Sequence, residues 1–136
     1  TSKNPCYTVH TDCRKKIKQI LNNNNYNQSE NLPFDKYLLS LKNYKFCISP
    51  PGRGIDCHRT WEALHLGVIP ILLSSPIDNL FIDLPVIILN NIEDFNKINN
   101  DFLITKHINM INNIKNNKYN LDKLFLSFWK NKINSA

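Results

Sequence analysis

The sequence predicts an α/β domain built on a parallel sheet, and three observations predict it. Short apolar runs of strand length, residues 45–49, 69–73 and 86–89, alternate with stretches of helical periodicity. The first two runs are separated by a segment that can hold a crossover helix, which a parallel pair requires. That crossover is punctuated as strand, loop and helix: Pro50-Pro51 and the glycines Gly52 and Gly54 break the first run, and Gly67 closes the helical pattern. With 136 residues the chain has the length of one domain, residues 1–136, and its 42% hydrophobic content is that of an ordinary globular core.

In chain order, a short strand is predicted at residues 7–10 and a helix at 12–21 with Ile17, Ile20 and Leu21 on its apolar side. A helix over 33–41 tolerates Pro33 in its first turn. In the central unit, Asp56 can cap the crossover helix by accepting from an N–H two or three residues on. Trp61, Leu64 and Val68 form its core-facing set. Residues 76–81 are a turn or short helix, and VIIL at 86–89 is a buried-type strand bounded by Pro85 and Asn90. Two amphipathic helices close the chain, one striped by Ile104, Ile108, Ile111 and Ile114, the other by Leu121, Leu124, Phe125, Phe128 and Trp129. The 22 asparagines, many in runs such as 22–25, 99–100 and 116–117, suit turns and loops.

Charge and cysteines exclude several classes. The net charge of +6 invites a nucleic-acid reading, but the first 50 residues carry eight Lys/Arg against three acids and the remainder nine against eight. The excess is concentrated on Arg14, Lys15, Lys16 and Lys18, which a solvated helix face explains without nucleic acid. Cys6, Cys13, Cys47 and Cys57 show neither zinc spacing nor the density of a disulfide scaffold. They are read mostly as thiols, with Cys47 in the core; an oxidising compartment would leave a Cys6–Cys13 bridge open. No apolar stretch approaches the roughly 20 residues of a membrane span, and Asn27-Gln28-Ser29 is an acceptor sequence for glycosylation that so Asn-rich a chain produces by chance.

The chemistry concentrates in the crossover. Ligands of parallel sheets bind outside the carboxyl ends of the strands, where the loop from Pro50 to His58 lies. Loop N–H groups freed by Gly52 and Gly54, with the positive end of the helix dipole, make an anion site, and the planar fork of Arg59 suits a diphosphate. Glu62 shares its face, three residues on. A carboxylate there repels phosphate but accepts hydrogen bonds from a sugar diol such as ribose. The alternative is a plain surface ion pair between Arg59 and Glu62. Gly52-x-Gly54 is not a dinucleotide fingerprint, because Cys57 stands in the third glycine's place, and no Gly-Lys-Ser/Thr follows as in a P-loop. His58 borders the loop and is the candidate acid/base or leaving-group residue; His65 lies two turns further on.

The string SPPGRGIDCHRTWEALHLGVIP, residues 49–70, resembles the donor-binding signature of exostosin-type glycosyltransferases (family 47), including the ribitol-xylosyltransferase-like branch, and more distantly that of fucosyltransferases. The wider match runs over residues 11–129 and takes in RKKI (14–17), YLLSLKNYKFCISPPG (37–52), DLP (83–85) and FWK (128–130). The resemblance implies the C-terminal, Rossmann-like, nucleotide-sugar-binding half of a GT-B fold. Pro51, Gly52, Arg53, Gly54, Asp56, Arg59 and Glu62 would then hold the donor, with Arg59 at the diphosphate and Glu62 at the ribose. Arg53 departs from the family, which often carries Asn between the glycines. The implied activity is an inverting transfer from a UDP-sugar or similar donor to a hydroxyl of a glycan or glycoprotein, with no cofactor and no metal, because no Asp-x-Asp occurs. Arginine and helix dipole would then stabilise the departing diphosphate. The implied partner is an acceptor-side GT-B domain beyond these residues, and the implied location is the Golgi lumen of eukaryotic relatives, or the host cytoplasm for a viral or microbial chain. From another class, a non-catalytic remnant that binds nucleotides or anionic glycans accounts for the same residues; turnover distinguishes the two.

Overall fold

The computed structural model describes residues 10–26, 32–50 and 58–134. Strands β1 (Phe46–Ile48), β2 (Ile69–Leu73) and β3 (Ile87–Leu89) form one sheet in the order β1-β2-β3, with both pairings parallel. The chain is therefore a mixed α/β domain with a small parallel sheet and flanking helices: α1 (His10–Asn23), α2 (Phe34–Leu41), α3 (His58–His65), α4 (Asn100–Lys115) and α5 (Leu126–Asn134). Among the described residues no helix is long and apolar enough to cross a membrane.

Central strand β2 explains the layering. All five of its residues are buried, as expected when helices cover both faces of a parallel sheet. Its alternation divides the core. Ile69, Ile71 and Leu73, with Ile87 and Leu89 of β3, pack against Cys13 and Ile17 of α1, Phe95 and Met110. Leu72 instead joins Leu64 of α3, Phe81 and Leu84. A third, smaller cluster seats α2 on α3 and β1 through Leu41, Ala63 and Val68, with Tyr37 and Cys47 packed against it. Gly67 has φ +75°, the left-handed conformation that ends α3 and lets Val68 N–H return to Ala63 O at 2.8 Å.

Pro70 stands in this central strand although it has no N–H to give. Ile69 N–H donates to Lys45 O, and Ile71 O accepts from Ser49 N–H, so the odd residues address β1; Ser74 N–H donates to Leu89 O, so the even ones address β3. The β3 ladder begins at Ile71↔Ile87. The missing donor of Pro70 thus points past the start of β3, where no rung is lost.

Several expectations change in the structure. His10 opens α1 rather than ending a strand, and residues 7–9 lie outside the described residues. Cys13 is disulfide-bonded, not a thiol; its partner lies outside the described residues, and Cys47 is in the thiol form. Arg14, Lys15, Lys16 and Lys18 are exposed on α1. The isoleucine stripe of α4 faces outward, with Ile104 57% and Ile108 54% exposed. The helix docks instead through Phe102, Leu103 and Met110 and through His107, whose ring meets Phe46 edge-on at 6.1 Å. Both faces have helical spacing, and the one carrying the larger side chains meets the sheet.

The asparagine runs mark helix ends. Asn99 caps α4 by accepting from Phe102 N–H at 2.8 Å, while Asn25 (φ 67°) after α1 and Asn117 (φ 54°) after α4 take the left-handed conformation that Asn tolerates best among side-chain-bearing residues. Asn91 and Asp94 form a reciprocal capping box on a 3-10 turn, Ile92–Lys97, that carries the fully buried Phe95 into the core.

Candidate functional site

The candidate site lies where β1 ends and α3 begins. Pro51, Gly52, Arg53, Gly54, Asp56 and Cys57, all assigned to the loop from the sequence, lie outside the described residues. Ser49 and Thr60 join the two elements: their hydroxyls are 2.8 Å apart, and both residues are buried. This bond fixes the first turn of α3 against the carboxyl end of β1.

Arg59 and Glu62 are both half-buried on α3. Among the described residues they form no ion pair with each other; the ion pairs there are Lys97–Asp94 and Lys123–Asp83. The guanidinium therefore keeps its donors, and the carboxylate its acceptors, uncommitted to one another. His58 is exposed beside Arg59. His65 is exposed at the far end of α3, its ring edge-on to Phe125 at 6.2 Å, which is a packing role. Opposite Arg59, Leu64 is buried and Trp61 packs on Phe81, the rings tilted by 38° with centroids 5.2 Å apart.

Tyr37, on α2, was not singled out from the sequence. Its hydroxyl is buried and, among the described residues, has no hydrogen-bond partner. Burial raises its pKa above the usual phenol value, with the Cys47 thiol and Glu62 adding to the rise and Arg59 opposing it. The signal in the sequence is faint: Tyr37, Leu38 and Leu41 form the inner face of an eight-residue helix, and periodicity does not distinguish a packed phenol from a polar one.

The flanking motifs serve structure. The Asp83 carboxylate lies 3.3 Å from the ammonium of the nearly buried Lys123, Asp83 O accepts from Asn120 N–H at 2.8 Å, and Trp129 Nε1 donates to Lys123 O at 2.8 Å. DLP and FWK thereby anchor the C-terminal helix to the turn before β3. After β2, the Asp78 carboxylate accepts from the Ser74 hydroxyl at 2.6 Å and from Ser75 N–H at 2.8 Å, which closes that loop on itself. Among the described residues no group of three or more His, Cys, Asp or Glu is placed to hold a metal ion. No protein-family model matches the chain, and no curated protein matches it.

Proposed function

We propose that the domain binds a nucleoside-diphosphate sugar at the first turn of α3 and is the donor half, Rossmann-like and of GT-B type, of an exostosin-like glycosyltransferase. The sugar passes to a glycan hydroxyl with inversion and without a metal. Arg59 holds the diphosphate, Glu62 the ribose hydroxyls, and His58 stands beside the leaving group; the loop residues 51–56 complete the anion site. The observation that carries this reading is that Arg59 and Glu62 share a half-buried helix face at the carboxyl end of β1 without neutralising each other.

Calorimetry with UDP and inorganic pyrophosphate tests it. Arg59→Ala removes a charge-assisted donor pair, a loss of about 1.5 to 3 kcal/mol or roughly tenfold to a hundredfold in affinity. Arg59→Lys rescues poorly, because an ammonium cannot form the fork. Glu62→Gln weakens UDP while leaving pyrophosphate no weaker, and EDTA changes neither. Unaltered affinity in a folded Arg59→Ala protein, or a requirement for manganese or magnesium, refutes the assignment.

A further inference from the structure

Helix α4 has two apolar faces, and the fold uses one of them. Phe102, Leu103 and Met110 meet the core, whereas Ile104, Ile108, Ile111 and Ile114 are 57%, 54%, 38% and 51% exposed. Asp101 and Lys115 are exposed as well and stand in the first and last turns. Asp101, Ile104, Ile108, Ile111 and Lys115 follow one another at alternating steps of three and four residues, the spacing of a helix-pairing seam rather than of the broader stripe that a globular core takes. Between the two charges every exposed position is Ile, Thr or Asn. Lys106, the one lysine in that interval, is half-buried, its ammonium 5.7 Å from the centroid of the Phe102 ring on the core side. A helix face left to water is ordinarily charged; this one carries charge only at its two ends.

We propose that this face of α4 is a homodimer surface, on which a second copy of the chain docks with its own α4 antiparallel, about a two-fold axis at Ile108. The placement of charge selects that occupant. Asp101 and Lys115 each lie seven residues from Ile108, about 10 Å along the helix, so the face complements itself when turned end for end. Isoleucine then meets isoleucine, and Asp101 of each copy faces Lys115 of the other across the rim. A parallel pairing would set acid against acid and base against base. An anionic membrane fits less well, because the seam would bring it a carboxylate and one lysine instead of a row of flanking cations. With 16 residues, α4 is about 24 Å long, and one such helix pair buries less than the roughly 1,200 Å² of a stable complex. The dimer is therefore weak and concentration-dependent, and it does not depend on what the loop after β1 binds.

Sedimentation equilibrium from about 10 μM to about 1 mM, the range in which an interface of this size associates, tests the proposal. The mass of the wild type should rise from one chain toward two. Ile108→Glu sets two carboxylates together at the axis and should stay monomeric throughout, its circular dichroism unchanged because the site is exposed. Ile133→Glu alters an apolar position on α5 that is 73% exposed, and it should associate as the wild type does. Asp101→Lys opposes lysines at both ends of the seam and should weaken association about tenfold; adding Lys115→Asp should restore it. If Ile108→Glu fails to fold, this charge reversal decides alone. A wild type that stays monomeric, association that survives Ile108→Glu, an equal loss in Ile133→Glu, or a reversal that weakens nothing or is not restored overturns the proposal. A monomer that binds anionic vesicles and loses them in Ile108→Glu also overturns it, by assigning the face to a membrane.

Discussion

Thr60→Val and Ser49→Ala, made singly and together, test the joint on which the candidate site is built. The two hydroxyls are 2.8 Å apart, with Ser49 3% and Thr60 2% exposed, so water cannot replace a lost partner. Thr60→Val keeps the shape and leaves the Ser49 hydroxyl unmet; Ser49→Ala leaves that of Thr60 unmet. Each single change should cost about 1 to 3 kcal/mol, the lost bond plus the stranded group. The double variant strands neither, so it should cost less than the sum, with a coupling on the order of 1 kcal/mol. Urea unfolding followed by tryptophan fluorescence reads this well, since Trp61 adjoins Thr60 in the chain. With a slope of roughly 2 kcal/mol/M, a single change costing about 2 kcal/mol lowers the midpoint by about 1 M. Strict additivity of the two changes would refute the bond, and near-neutral singles would refute the burial of the pair.

Asp83→Asn leaves the nearly buried Lys123 ammonium without its counter-charge; because the Asp83 side chain is 48% exposed, the loss should be about 1 to 2 kcal/mol rather than that of a fully buried pair. Heat denaturation measures it, and pyrophosphate affinity should not change. Asp94 titrates below the usual carboxylate range because its side chain accepts from Lys97 and then from the Asn91 backbone N–H. A carboxyl whose folded pKa is depressed contributes stability above its unfolded value near 4, and that contribution is lost as pH falls through the folded pKa. Asp94→Asn should accordingly lower the urea midpoint at pH 7 and have progressively less effect below about pH 4; an effect equal at pH 7 and pH 2 would contradict this.

Much of the fold was legible because local chemistry and tertiary context agree. The run 69–73 is β2 with the same bounds, since a short unbroken apolar run between Gly67 and Ser74-Ser75 suits a strand covered on both faces. Gly67 was legible for the same reason, its conformation being a property of the single residue. The α4 stripe was misjudged because Ile104, Ile108 and Ile111 and the set Phe102, Leu103 and Met110 have equally helical spacing, and only the sheet decides between them. Around the candidate site, the placement of Arg59 and Glu62 on one helix, α3, was legible from their spacing. Tyr37 and the Ser49–Thr60 bond were not, because they depend on bringing α2, β1 and α3 together, and no local pattern encodes which hydroxyl faces which helix.

Pro70 has a bearing on how the chain finds its pairing. Were β2 to slip by one residue, its odd side chains would exchange faces with its even ones, and the nitrogen of Pro70 would turn toward β1, where a rung expects a donor. A strand made only of Ile and Leu would resist such a slip through packing alone, and IPILL is symmetrical enough in bulk for that resistance to be weak. The proline makes the misaligned ladder defective in hydrogen bonding while the correct one loses nothing. It also leaves the amino-terminal part of β2 unable to recruit a strand on the β3 side, so a second chain arriving during synthesis or refolding meets a missing donor at that position.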